Sequence, residues 1–182
     1  DACPGDHLGD AFSVEFAHLD PSPMNASIGT MRLNLPAPLE IAFEEAEAAA
    51  LRGEVPVGAV VADKAGKVIA KAGNRTLELK DPTAHAEMLV IRAAAEILGS
   101  ERLIDCDLHV TLEPCAMCAA AISFARIRRL YFSAGDEKMG AVEHGPRFYS
   151  QATCHHAPDV YGGLGEDRAK LLLRDFFRSR RS

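Results

Sequence analysis

Two short stretches of this 182-residue chain hold side chains that could do chemistry together: Thr83-Ala84-His85-Ala86-Glu87 and Glu113-Pro114-Cys115-Ala116-Met117-Cys118. Cys115 and Cys118 are three residues apart, so on a helix they share a face and can hold one ion between them. Pro114 suits the first position of such a helix, where its missing N–H would have had no partner. A helix start favours negative charge and lowers thiol pKa, which suits two thiolates. His85 would add a nitrogen. One nitrogen and two sulfurs suit Zn²⁺, and three protein ligands leave a fourth tetrahedral position for water. Zinc acidifies such a water toward neutral pH. Glu87, two residues from His85 in the first helical turn, is placed to hydrogen-bond that water and move protons.

The surrounding elements must bring the two stretches together. Apolar residues at Leu39, Ala42, Phe43, Ala46 and Ala50 predict a helix after Pro38, stopped by Gly53. Val55–Ala62 and Val68–Ala72 read as two strands of a hairpin around the turn Asp63-Lys64-Ala65-Gly66. A second helix is predicted over Ala84–Leu98, with Met88, Ile91, Ala95 and Leu98 inward, and Gly99 closing it. Leu108–Leu112 reads as a strand, Pro114–Ala125 as a helix and Arg129–Ala134 as a strand. Residues 136–161 read as irregular. A last helix is predicted over Glu166–Arg180, with Ala169, Leu172, Leu173, Phe176 and Phe177 inward. This alternation predicts one α/β domain with a sheet covered by helices on both faces.

Composition narrows the function classes. Hydrophobic residues make up 48% and charged residues 25%, as in a globular domain. The longest uncharged apolar run, Pro114–Ala125, is too short to span a bilayer, so no membrane partner is expected. The formal net charge is −6, of which residues 1–36 carry −4, from Asp1, Asp6, Asp10, Glu15 and Asp20 against Arg32. Those residues also hold Pro4, Pro21, Pro23 and Pro36 and show no periodicity, so they read as a poorly ordered extension. Met24 or Met31 could be the true start, and residues 37–182 form the expected domain. Five cysteines, scattered apart from the C-x-x-C, fit a reducing cytoplasm and a metal or redox role better than a disulfide scaffold. Cys154-His155-His156 reads as a surface or interface loop, because three adjacent residues do not converge easily on one ion. From Glu166 onward the net charge is +3, and Arg126, Arg128 and Arg129 form a second basic cluster.

His-x-Glu followed by Pro-Cys-x-x-Cys is the signature of zinc-dependent nucleobase deaminases. With it stand Glu54-Val55-Pro56-Val57-Gly58-Ala59-Val60, Gly73-Asn74-Arg75, Asp81-Pro82-Thr83, Val110-Thr111-Leu112-Glu113 and Asp175-Phe176-Phe177-Arg178. Over roughly Pro38–Arg181 the chain resembles the bacterial tRNA adenosine deaminases of the cytidine/deoxycytidylate deaminase superfamily. The resemblance implies a three-layer α/β/α fold with a central mixed sheet of about five strands. It implies one Zn²⁺ per subunit on His85, Cys115 and Cys118, with Glu87 catalytic. Asn74, Val55, Ala84, Asp136 and Phe177 would meet the substrate, Asn74 at ribose or base and Asp136 near the ribose backbone. The implied substrate is the adenosine at the wobble position of a tRNA anticodon stem-loop, and the implied assembly is a homodimer. Three alternatives stay open from sequence: a deaminase of free guanine, cytosine or cytidine; a non-catalytic zinc-binding subunit; and a redox C-x-x-C protein.

Overall fold

The computed structural model describes residues 35–181, so all but the last two residues of the expected extension lie outside the described residues. Five strands form one sheet: β1 (Gly58–Asp63), β2 (Val68–Gly73), β3 (Cys106–Leu112), β4 (Arg129–Ala134) and β5 (Asp159–Tyr161). Their spatial order is β2-β1-β3-β4-β5. β1 runs antiparallel to β2 and β3, while β4 runs parallel to β3 and β5 parallel to β4. The sheet is mixed, as the resemblance implies.

Alternation along the strands sends residues to two cores. Ala59 and Val61 of β1, Leu108 and Val110 of β3, and Leu130 and Phe132 of β4 pack with α2 (Ala86–Leu98) and α3 (Ala116–Phe124). Val60 points the other way, into a smaller core with Leu39, Ala42 and Phe43 of α1 (Ala37–Leu51) and Ala169 of α4 (Glu166–Ser179). The result is three layers, helix pair on sheet on helix pair. α1 can lie this close because two glycines face it. Gly58 pairs with Gly73 across the β1–β2 hairpin. A Cβ on Gly58 would fall on the carbonyl oxygen of Ala42, and one on Gly73 would come within 2.5 Å of the carbonyl oxygen of Glu45.

The structure corrects several expectations. β1 begins at Gly58 rather than Val55, because pairing with β2 and β3 starts only there. The buried face of α2 is Ala86, Glu87, Val90, Ala93 and Ala94, with Leu98 47% exposed. Its inward stripe is made of small residues around a carboxylate, a pattern that apolar periodicity does not reveal. On α1, Ala49 is buried where Ala50 was expected. Both site helices start later than expected, because His85 and Cys115 keep extended backbone and serve as the N-caps of α2 and α3. The stretch 136–161 contains a 3-10 turn, Phe148–Ser150, and β5. On α4 only Ala169 is buried, and Phe177 is 43% exposed rather than core. Among the described residues no helix is long and apolar enough to cross a membrane.

Candidate active site

One edge of the sheet gathers the chemistry. The start of β1, the end of β2 and the ends of β3 and β4 meet there, and α2 and α3 begin beside them. A cleft here is lined by Val55, Asn74, His85, Glu87, Glu113, Cys115 and Asp136, and also by Leu173 and Phe177 of α4. Crevices at strand ends where connections diverge are the usual ligand sites of open α/β sheets.

His85 Nδ1 lies 3.7 Å from Cys115 Sγ and 3.6 Å from Cys118 Sγ. The three ligand atoms lie within 4.8 Å of one another. A tetrahedral Zn²⁺ with bonds of about 2.3 Å to sulfur and about 2.0–2.1 Å to nitrogen requires N···S separations near ~3.5 Å. The trio fits that ion, and no other cluster of this kind occurs among the described residues. Hydrogen bonding from Cys118, reinforced by His85, draws the Cys115 thiol down to about 4 against the opposing effect of burial. Cys118 moves up, through its hydrogen bond with Cys115 and its burial. The hydrogen bond to Cys115 raises His85. Glu87 is 4% exposed at the start of α2, and burial pushes its carboxyl up to about 7. A carboxyl near 7 at neutral pH both accepts and donates protons.

The residues expected at the substrate divide into two groups. Val55, Asn74, Asp136 and Phe177 line the cleft. Asn74 Oδ1 accepts the Ala86 N–H at 2.8 Å, supplying the cap that the His85 side chain does not give α2. That bond orients the carboxamide and leaves its NH₂ group as the part available to a ligand. Asp136 Oδ1 accepts the N–H groups of Lys138 and Met139, which shapes its own loop. Ala84 is fully buried and does not line the cleft. Cys154-His155-His156 lies apart from the trio: His156 bonds the Ile127 carbonyl through Nε2, and Arg126 donates to the His155 carbonyl.

The sequence offered Glu54 only as a weaker pocket-wall match beside Val55 and gave Glu113 no role, and the anchoring done by both carboxylates was missed. Glu54, 1% exposed, accepts the Thr76 hydroxyl and the Leu77 and Glu78 N–H groups, fixing one lip of the cleft. Glu113 Oε1 accepts the N–H groups of Val142, Glu143 and His144, and Oε2 takes the Asp136 N–H and the His144 ring. Burial would raise Glu113, but these donors outweigh it and hold the carboxyl below its ordinary range. The available signal was an acid immediately before Pro-Cys, directly after the strand that ends at Leu112.

Comparison with known proteins agrees with this geometry. Residues 36–134 match the model of the cytidine and deoxycytidylate deaminase zinc-binding region. The chain is 64% identical over 143 residues to a tRNA-specific adenosine deaminase of Agrobacterium fabrum, covering 79% of this chain and 93% of that one. A solved structure from work on A-to-I editing by tRNA:A34 deaminases at the wobble position superimposes with a TM-score of 0.73 at 63% identity, covering 75% of this chain and 98% of that one. Guanine deaminase from Nitrosomonas europaea shares the fold, with a TM-score of 0.68 at 24% identity, over 78% of this chain and 83% of that one. The chain belongs to the cytidine and deoxycytidylate deaminase zinc-binding family, and within it to the tRNA-specific adenosine deaminases.

Proposed function

We propose that this protein hydrolyses adenosine to inosine at the wobble position of a tRNA anticodon, releasing ammonia. The observation that carries the reading is the buried Glu87 carboxyl beside three atoms spaced to hold Zn²⁺. A purely structural zinc site has no use for a proton carrier, and a redox C-x-x-C has no use for His85 and Glu87.

His85, Cys115 and Cys118 would hold one Zn²⁺ per chain, which when bound supplies the Lewis acidity that makes water a nucleophile near neutral pH. Glu87 takes a proton from the attacking water as its oxygen bonds to C6 of the adenine. It returns that proton to the ring nitrogen. The second proton, from the new C6 hydroxyl, passes through Glu87 to the amine as the C6–N bond breaks and the C6 carbonyl forms, so Glu87 acts as base and then acid. Val55 walls the base, the Asn74 NH₂ group meets the ribose or base, and Asp136 lies toward the ribose side of the cleft. An anticodon base sits in a loop, so its extrusion into the cleft costs less than flipping from a duplex.

Net charge does not argue against RNA. Residues 37–182 carry only −2, and the cleft wall includes Lys138, Lys170 and Arg181. Phe177 extends that wall with an exposed ring suited to stacking. The reading includes a catalytic domain of residues 37–182, set off by the unpatterned residues 1–36, action in a reducing cytoplasm, which the scattered cysteines fit, and a homodimer, which the resemblance implies.

The test is direct. Zinc-loaded protein is incubated with an anticodon stem-loop carrying A at the wobble position, with free guanine and cytidine in parallel. Inosine in the stem-loop supports the reading. Turnover of a free base without inosine would assign the site to a free-base deaminase.

A further inference from the structure

We propose that His144 is an additional substrate-binding residue, donating through Nε2 to a phosphodiester oxygen of the RNA strand at the mouth of the cleft. The inference rests on the RNA reading above and adds a contact to it.

Three observations converge. His144 lines the cleft, as do Lys138 of its own loop, Lys170 of α4 and Arg181 just beyond it. Its Nδ1 sits 2.6 Å from Glu113 Oε2, and the Glu113 side chain is fully buried. That carboxylate also takes four backbone N–H groups, so its position is over-determined and it holds the ring in one orientation. The ring lies over Gly135, where a Cβ would come within 2.9 Å of Cε1. With Nδ1 committed to the protein interior, Nε2 is the remaining polar atom of a side chain that is 37% exposed.

An imidazole fixed against a buried carboxylate is a donor with a defined direction. Charge around it favours the protonated ring. Glu113 stands just past β3, Asp136, Glu137 and Glu143 lie in the ring's own loop, and Glu166 also lines the cleft, against the cations Lys138, Lys170 and Arg181. The hydrogen bond to Glu113 is the first of these influences, and His144 is raised above its ordinary range. When protonated, the oriented ring offers an N–H to an anion in a cleft that Lys138, Lys170 and Arg181 also line, and RNA presents an anion at every nucleotide. A role limited to clamping the loop would not require the ring to face the cleft.

The experiment measures deamination of the anticodon stem-loop by the zinc-loaded full chain across a series of KCl concentrations, for the wild type, His144→Gln and His144→Lys. Loss of one charged hydrogen bond raises KM for His144→Gln by about tenfold, with the loss carried by KM rather than kcat. The plot of log kcat/KM against log salt becomes shallower by about 0.7, the share of one single-strand phosphate contact. His144→Lys restores the slope. A His144→Gln variant with wild-type KM and slope overturns the assignment. So does one whose kcat and unfolding midpoint fall while the slope stays unchanged, which is the signature of a loop clamp. Absence of inosine with the wild type overturns the RNA reading and this contact with it; wild-type turnover that His144→Gln leaves untouched overturns this contact alone.

Discussion

Glu113→Gln is the most informative test of how the cleft is built. Glu113 Oε1 receives three backbone N–H groups at 2.8 to 3.0 Å, and Oε2 receives Asp136 N–H at 2.9 Å and the His144 ring at 2.6 Å. A glutamine has one accepting oxygen. Its best arrangement keeps the three bonds at Oε1 and turns its NH₂ group toward the Asp136 N–H, donor against donor. The Asp136 bond is lost, the other three lose their charge assistance, and His144 must become the neutral acceptor. Hydrogen bonds to a charged group are worth about 1.5–3 kcal/mol each. The expected destabilisation is therefore about 3 kcal/mol, rising to about 4–5 for Glu113→Ala, which strands all five donors. Urea unfolding at pH 7 with matched zinc content measures the loss. Hydrogen exchange localises it, with faster exchange expected at Asp136, Val142, Glu143 and His144 and little change in α1. A loss below about 1 kcal/mol, or unchanged exchange at those amides, would refute the reasoning.

Two further outcomes follow from the structure. His109 is 5% exposed, its Nδ1 has no partner among the described residues, and burial pushes its pKa down to about 4. The unfolded chain binds this proton below about pH 6.5 and the folded chain does not until about 4, so stability falls as pH drops through that window, by up to about 3 kcal/mol. His109→Phe, which keeps a ring for the stack on Tyr131 at 4.6 Å, should flatten that slope in unfolding measured from pH 7 to 4; an unchanged slope would contradict the account. Gly58→Ala forces α1 off the hairpin, because its Cβ collides with backbone at Ala42 and Ala46. A loss of about 1–3 kcal/mol or more is expected in thermal or urea unfolding, and a neutral variant would show that the α1 contact yields freely.

The legible parts of this protein are those set by local spacing. His85, Glu87, Cys115 and Cys118 stand in two helix starts, and ligand spacing on a helix can be read without knowing the rest of the fold. β4 matched its expected bounds, Arg129–Ala134, because a short apolar run ended cleanly at glycine. Glu54 and Glu113 were not legible. Their roles depend on loops 22 to 31 residues away arriving at one carboxylate, which no periodicity records. β5 escaped because it has three residues, two of them exposed, and is held by pairing with β4 alone. The face of α2 was misjudged because the helix turns Glu87 inward and packs through alanines, so its chemistry overrides its apolar pattern. Phe177 read as core from its spacing, yet α4 covers only part of the sheet and turns that ring to the cleft.

The central claim is that Glu87 moves the protons of a hydrolytic deamination on RNA. It is tested most directly by comparing inosine formation in an anticodon stem-loop by the wild type and Glu87→Gln, with zinc content measured in both. The account predicts inosine from the wild type, equal zinc in the two proteins, and a rate for Glu87→Gln lower by about 10²–10⁴-fold or more. Equal zinc with a rate within tenfold of the wild type would contradict it.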